Sequence, residues 1–320
     1  MPASFEVKKV ASHVIPIVRE IQPALIHSTL FHSDLVSRFL RKKYNFLTIN
    51  SFVNNSYSKR RYEELDLKSK FKLLIIQQWD RVTSKNVDFF ISNSHTIKKS
   101  NSRALGISLD KIQVIFRGRD KTNFEELPEH KIQEIRKDLG IGDERIYLNV
   151  SRLLERKGQS NLLKAFRKVI LVFPDSKLLI AGEGPYRDVL EQKIFSLGLS
   201  ENVFLLGNRS DIPALLQMAD IFVFPSHYEG LPGALIEAMM SKIPIIASNI
   251  AENLECVDED TAFLFKVQDV DDLADKMIKV ATDVNALKKV KRAHNFALQN
   301  FDIRKIASDY ENVYDKLLKA

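Results

Sequence analysis

The sequence predicts an α/β protein built from doubly wound, parallel β-sheets. Short apolar runs alternate with segments in which apolar residues recur every three or four positions, and this alternation is clearest in the second half of the chain. The runs are apolar on both faces, as in a parallel sheet covered by helices on both sides. The predicted strands of this half are 145–150, 177–181, 203–206, 220–224, 243–247 and 262–265, and the predicted helices are 160–172, 186–197, 211–219, 232–241 and 270–282.

The first half shows the same alternation less completely. Its predicted helices are 7–21, 32–43, 67–85 and 95–104, and its predicted strands are 24–27, 46–49, 87–91 and 112–115. We therefore expect two Rossmann-like domains facing each other across a cleft, formed by residues 1–140 and 141–300. The polar segment 120–140 is expected to connect them, and the helix within residues 301–320 is expected to pack back on the first domain.

Composition limits the classes of function. The 320 residues are 45% hydrophobic, and the longest apolar runs are far too short to span a membrane. No secretory signal is apparent, because charged residues interrupt the N-terminus early. The chain has one cysteine, Cys256, which cannot form an intramolecular disulfide. These observations favour a reducing, cytoplasmic location.

The net charge of +7 is unevenly distributed. Residues 1–140 contain 25 Lys and Arg against 15 Asp and Glu, whereas residues 141–320 contain 23 against 26. A solvated surface, an anionic membrane face and nucleic acid are three explanations for the basic first half. Nucleic acid is the least favoured, because the basic clusters lack interleaved aromatic residues and one cysteine excludes zinc-finger spacing.

Three loops that follow predicted strands of the second domain carry candidate binding residues. The first, SRLLERKG, places Arg152 and Lys157 before a helix, where two cations and free N–H groups suit a diphosphate. An exposed basic turn is the alternative. The second, AGEGPYR, contains Gly182 and Gly184, which allow close backbone approach, but tight turns need glycine too and the pattern is not the dinucleotide fingerprint.

The third loop, PSHYEGLPGALIEAM, contains two glutamates at the start of a predicted helix. Glu229 lies in the loop, Pro232 suits the first helical turn, and Glu237 follows about one and a half turns later. A carboxylate can accept hydrogen bonds from two hydroxyl groups, as on a ribose or sugar ring. Alternatively, both glutamates complement the helix dipole, and each such charge stabilises a helix by about 0.3–1 kcal/mol.

These strings resemble the family-4 glycosyltransferases, a retaining group with the GT-B fold. The E-x7-E signature is matched by Glu229 and Glu237, and the segments LLIAGEGPYRDVL, VFLLGNRSDIPALLQMADIFVFPS and IPIIAS follow the family pattern in order and spacing. The resemblance covers residues 145–285 well and residues 14–124 more loosely. In the first domain, VIFRGRD occupies the place of the family's turn before the interdomain connection.

The resemblance implies transfer of a sugar from a nucleoside diphosphate donor to an acceptor with retention of configuration. Arg152 and Lys157 would neutralise the leaving diphosphate, Glu229 would bind the donor sugar and Glu237 the ribose. The other implied donor-binding residues are Gly230, Leu231, Pro232, Asn208 and Arg209. The acceptor would be a saccharide or glycolipid, with the basic first domain near an anionic membrane.

The resemblance also implies that no metal or other cofactor is needed. Two D-x-D strings, Asp258–Asp260 and Asp269–Asp271, follow the donor motif, and Asp269 is expected to cap the next helix instead of binding a metal.

Several positions depart from the family pattern. The family's first domain opens with a strand and a glycine-rich loop, so about 60 residues are missing by comparison and the first domain is expected to be incomplete. A catalytic-site histidine of many members is replaced within LTINS by Asn50 or Ser51, and His27 and His32 belong to another strand end. Further departures are Ala251 and Glu252 in a loop that is usually glycine-rich, where Glu255 keeps the acidic position, and Lys242 where glycine is usual.

Three functional hypotheses follow from the sequence. The first is an active retaining glycosyltransferase of cell-envelope polysaccharide or glycolipid synthesis. The second is a catalytically impaired partner subunit that binds a sugar nucleotide. The third is another GT-B enzyme, such as a sugar-nucleotide 2-epimerase.

Overall fold

The computed structural model describes residues 2–319, except for the side chains of residues 2–6, 60 and 64. The chain forms two compact units. The first unit comprises residues 1–117 and 305–320, and the second comprises Gly118–Arg304. Within the described residues, no helix is both long enough and apolar enough to cross a membrane.

The first unit contains a parallel sheet of four strands in the order β1-β2-β3-β4. Its elements up to the end of this sheet are α1 (Pro2–Ile21), β1 (Leu25–Thr29), α2 (Phe31–Arg41), β2 (Leu47–Phe52), α3 (Lys59–Glu64), α4 (Leu67–Thr83), β3 (Phe89–Ser92), α5 (His95–Leu105) and β4 (Ile112–Val114). Polar caps fix several helix starts. Asp66 accepts a hydrogen bond from Ser69 N at the start of α4, and Ser94 accepts one from Ile97 N at the start of α5.

The second unit contains a parallel sheet of six strands in the order β10-β9-β8-β5-β6-β7. The remaining elements of the chain are α6 (Glu129–Asp138), β5 (Ile146–Val150), α7 (Gln159–Val172), β6 (Lys177–Ala181), α8 (Arg187–Ser196), β7 (Val203–Gly207), α9 (Ile212–Met218), β8 (Ile221–Phe224), α10 (Gly233–Met240), β9 (Ile245–Ser248), β10 (Phe263–Phe265), α11 (Val270–Val280), α12 (Ala286–Phe301) and α13 (Ile303–Leu318). This strand order is that of the doubly wound dinucleotide-binding fold. The predicted α/β class with parallel sheets is therefore confirmed.

The two units divide at different positions from those predicted. Residues 118–140 belong to the second unit and not to the first domain, because α6 packs against α9 and Arg119 pairs with residues 301–303 through its backbone. The residues from 305 onward belong to the first unit, where Ile306 and Val313 pack with Ile49 of its sheet. Helices α3, α6 and α12 were not predicted.

A buried polar network lies between α2, α4 and β2 of the first unit. Arg38, which is 2% exposed, donates to Asn50 Oδ1 at 2.7 Å and to Asp80 Oδ1 at 2.5 Å. The second Asp80 oxygen accepts from the Tyr57 hydroxyl at 2.7 Å. A buried ion pair is tolerated when its remaining polar atoms are also hydrogen-bonded, and here Asn50, Tyr57 and the Thr83 hydroxyl provide such bonds.

Asp34, at the edge of this network, has a perturbed pKa. Burial raises the pKa of its carboxyl from 3.8 to about 6, against opposing effects of the Ser28 hydroxyl and Arg38. The Ser28 hydroxyl donates to Asp34 Oδ1 at 2.7 Å. The folded protein therefore binds a proton here that the unfolded chain has already released between about pH 4 and 6.

Stability should accordingly fall as pH rises through that range. Relative to Asp34→Asn, the wild type is expected to lose about 2–3 kcal/mol of unfolding free energy between pH 4 and 7. Urea unfolding can be followed through Trp79, the single tryptophan of the chain, which lies in the first unit. If the difference in unfolding free energy between the wild type and Asp34→Asn stays constant over this pH range, the raised pKa is contradicted.

Candidate functional site

The candidate site lies in the second unit, at the point of its sheet where the strand order reverses. β5 pairs with β6 on one side and with β8 on the other, so chain connections run in opposite directions from this point. Doubly wound sheets bind ligands outside the carboxyl ends of the two strands at such a switch point. The loops that follow β5 and β8 are residues 151–158 and 225–232, the first and third loops singled out from the sequence. His227 N donates to Arg156 O at 2.8 Å, which joins the two loops.

Lys157 and Glu229 form an ion pair between these loops. Lys157 Nζ donates to Glu229 Oε1, and the two side chains are 11% and 8% exposed. Burial lowers the pKa of Lys157, and the Glu229 carboxylate opposes this effect. The sequence assigned these residues separately to a diphosphate and a sugar, whereas the structure pairs them with each other.

Two arginines surround this pair. Arg156 Nη1 lies 3.7 Å from Glu229 Oε2 and donates to the Tyr228 carbonyl oxygen at 3.0 Å. Arg152 is exposed, and the described residues provide no hydrogen bond or ion pair for its guanidinium. The charges of Arg156 and Arg152 both contribute to lowering the pKa of Lys157, so the three cations act on one another. Such a group is suited to an anion with more than one negative charge.

The start of α10 adds backbone donors to this site. Pro232 precedes the helix as its N-cap residue, with φ −77° and ψ 95°, and no side chain caps the helix. Among the described residues, the N–H groups of Gly233 and Ala234 have no acceptor. The flanking residues Gly230 and Leu231 lie in the loop, and Leu231 is buried. Free N–H groups at a helix start favour phosphate oxygens.

Glu237 is held by an arginine that the sequence analysis did not single out. Arg119 Nε donates to Glu237 Oε1 at 2.7 Å, and the side chains are 26% and 22% exposed. The guanidinium lies against Gly233, where an added Cβ would overlap it. Arg119 N donates to Phe301 O at 2.8 Å, which fixes the backbone of this residue. One Glu237 oxygen is thus committed to Arg119, and no side chain of the described residues donates to the other.

The other predicted residues of the second unit have local partners or none. Arg209 donates to both oxygens of Asp211, at 2.8 and 2.5 Å, and Asn208 beside it is exposed without a side-chain hydrogen bond in the described structure. Added Cβ atoms at Gly182 and Gly184 would overlap the carbonyl oxygens of residues 151 and 153. These two glycines are therefore needed for loop packing.

The structure also locates several other residues named from the sequence. Asp269 caps α11 by accepting from the N–H groups of residues 271 and 272, as predicted. Lys242 has the left-handed φ of 57°, a conformation that favours glycine. Glu252 is 9% exposed, and Glu255 lies in the one-turn helix Asn253–Glu255. No group of three His, Cys, Asp or Glu side chains in the described part of the chain could hold a metal ion.

The histidines and the LTINS segment lie in the first unit. His27 is engaged on both ring nitrogens, with the Tyr314 and Ser51 hydroxyls each at 2.7 Å, and burial lowers its pKa. Asn50 is fully buried in the Arg38 network. His32 is exposed and borders a cavity of about 290 Å³ near the ends of β1 and β2.

Comparison with known proteins identifies the family. The family model described as "Glycosyl transferases group 1" matches residues 131–296, which is more than half of the chain. The chain belongs to this family. It is a glycosyltransferase with two Rossmann-like domains, and its structural neighbours have the GT-B fold.

Three similar proteins illustrate the match. The N-acetyl-alpha-D-glucosaminyl L-malate synthase of Bacillus anthracis is 27% identical, over 76% of this glycosyltransferase and 61% of that protein. A capsular polysaccharide biosynthesis glycosyltransferase of Staphylococcus aureus is 24% identical, over 96% and 86%. A protein of Anabaena crystallised with UDP and glucose superposes with a TM-score of 0.84 at 21% identity, over 97% of this chain and 81% of that one. The last comparison supports the fold alone.

Two charged residues of this glycosyltransferase's site were missed by sequence reasoning. Arg156 lies between the predicted Arg152 and Lys157, so its position in the same loop was an available signal. Arg119 is 118 residues away from Glu237 along the chain, and nothing in the sequence near either residue indicates that they pair.

Proposed function

We propose that this glycosyltransferase transfers a sugar from a nucleoside diphosphate donor, with retention of configuration, to a saccharide or glycolipid acceptor of the cell envelope. The bond between the sugar C1 and the diphosphate breaks, and its electron pair stays on the diphosphate. An acceptor hydroxyl oxygen bonds to C1, and its proton passes to an oxygen of the departing diphosphate. The relative of capsular polysaccharide synthesis supports this acceptor class.

The observation that carries the proposal is the convergence of cations and free N–H groups at the switch point. Lys157, Arg152 and the open start of α10 are the groups that stabilise negative charge on a leaving diphosphate. The Lys157 ammonium carries three hydrogens and donates one of them to Glu229. The other two can be donated to phosphate oxygens. This use of protein cations requires no metal ion or other cofactor, and the reaction is proposed to take place at the cytoplasmic face of the membrane.

Glu237 is proposed to bind the donor ribose with the oxygen that Arg119 leaves free. Glu237→Ala is expected to weaken donor binding by about 10- to 100-fold, since hydrogen bonds to a charged group contribute about 1.5–3 kcal/mol each. Arg119→Met should weaken it less, because the carboxylate is kept but is no longer oriented. Calorimetric titration with UDP-glucose, UDP-N-acetylglucosamine and GDP-mannose measures both effects.

Glu259→Ala is the matched control, because this exposed glutamate of the second unit has no side-chain partner in the described structure. It should bind the donor like the wild type. Unchanged donor affinity in Glu237→Ala would rule out the ribose assignment. Absence of binding of any of the three nucleotides by the wild type would overturn the proposed donor class.

A second candidate is a donor-binding partner subunit with impaired turnover. Asn50 occupies the segment where the family resemblance implies a catalytic-site histidine, and it is buried in the Arg38 network. Release of nucleoside diphosphate from the bound donor distinguishes the two candidates. Tight donor binding without release, in the presence of membrane extract as the acceptor source, would favour the subunit.

A further inference from the structure

Helix α4 presents an apolar surface to solvent. Five of its large apolar side chains are exposed by 46–86%, and we call them the α4 stripe: Leu67, Phe71, Leu74, Ile75 and Val82. Their successive spacings of four, three, one and seven residues place them on one side of the helix. Several large apolar side chains exposed on one side of a helix are typical of an interaction site.

The opposite side of α4 already supplies the contacts that hold the helix in the first unit. Leu73 and Asp80 are buried, and Ile76 packs against the cluster that includes Leu73 and Phe90. The four consecutive apolar residues 73–76 contribute to both faces, since Leu73 and Ile76 pack inward whereas the two residues between them are exposed. The α4 stripe is therefore not required for packing within the unit.

Lysines lie on both sides of the α4 stripe. At 100° per residue, Lys68 and Lys72 fall on one side and Lys70 on the other. In the described structure, none of the three forms an ion pair or a side-chain hydrogen bond. Asp66, the acidic residue at this end of the helix, is occupied with the Ser69 N–H and hydroxyl at 3.0 and 2.7 Å.

We propose that the α4 stripe inserts into the headgroup region of an anionic lipid bilayer. Apolar side chains bordered by cations are the pattern of helices that lie in a membrane surface, where lysines extend along the apolar surface to reach lipid phosphates. Protein interfaces, by contrast, are depleted in lysine. The α4 stripe is then the surface through which the first unit reaches a membrane-linked acceptor. This membrane contact does not depend on donor binding.

The test is flotation of the full chain with vesicles of phosphatidylcholine, with and without phosphatidylglycerol. The wild type is expected to float with the anionic vesicles. Leu74→Ser/Ile75→Ser should bind them at least about tenfold more weakly. Replacing Lys68, Lys70 and Lys72 by glutamine should weaken binding about fivefold per residue, which corresponds to roughly 1 kcal/mol for each lysine.

Leu171→Ser/Val172→Ser is the matched control, because these neighbours on α7 of the second unit are 71% and 52% exposed. It should float like the wild type. Equal flotation of both serine double variants, or no flotation of the wild type, overturns the proposal. So does a stripe variant that changes the oligomeric state in sedimentation equilibrium, because the occupant is then a second copy of this chain. Titration of the same variants with UDP-glucose reports donor binding separately, so failure here is distinguishable from failure of the proposed function.

Discussion

Replacing Lys157 by methionine is expected to lower the rate of sugar transfer by about 100- to 1,000-fold. The ammonium lies at the switch point beside Arg152, where charge develops on the leaving diphosphate in the proposed reaction. Removing one preorganised group that stabilises a transition-state anion costs about 2.7–4 kcal/mol. The decrease should appear in kcat more than in the donor KM, because the charge develops as the bond breaks.

The same substitution should also destabilise the second unit. Glu229 is 8% exposed, and without Lys157 its carboxylate is left in the site with Arg156 at 3.7 Å as its nearest cation. Removing one partner of a buried pair costs about 3–5 kcal/mol, and the retained arginine should place the effect at the lower end. Calorimetric unfolding of the full chain measures it.

A double variant separates catalysis from stability. Lys157→Met/Glu229→Gln removes both charges and is expected to regain most of the lost stability without regaining activity. Lys164→Met, at an exposed position of α7, is the control and should match the wild type in both measurements. Recovery of transfer activity in the double variant would show that Lys157 serves the ion pair and not the diphosphate.

Replacing Arg38 by methionine is expected to lower the unfolding free energy of the first unit by about 3–5 kcal/mol. The substitution leaves the Asp80 carboxylate, which is 7% exposed, with the Tyr57 hydroxyl as its one remaining side-chain donor among the described residues. It also removes the donor to Asn50 Oδ1 in the middle of the sheet. Urea unfolding monitored by Trp79 fluorescence reports on this unit.

Arg41→Met provides the matched comparison on the same helix. Arg41 pairs with Asp88 at 3.4 Å, but the two side chains are 29% and 31% exposed. Solvent-accessible pairs of this kind contribute about 0–1 kcal/mol, so the midpoint of urea unfolding should shift little. If Arg38→Met and Arg41→Met lower the unfolding free energy equally, burial of the Arg38 network does not determine the cost of breaking it.

Local patterns in the sequence were sufficient for most of the fold. All ten strands lie within a few residues of the predicted ranges, because each is a short apolar run bounded by turn residues. Helix α12 was missed although it follows a helical period, and α6 was missed because the polar segment around Pro128 resembles a connection. The unit boundary at Gly118 was not predictable, because it depends on backbone pairing of Arg119 with residues 301–303.

The sequence by itself determined the α/β class, the switch-point loops and the residue types of the candidate site. It did so because strand period, turn residues and loop position after a strand are properties of neighbouring residues. Only the tertiary structure decided which charges meet. Lys157 pairs with Glu229 across 72 residues and Arg119 with Glu237 across 118. Burial, which no local pattern shows, makes the Lys157–Glu229 pair energetically important. The same holds for α4, whose inner and outer apolar faces became distinguishable once the sheet covered one of them.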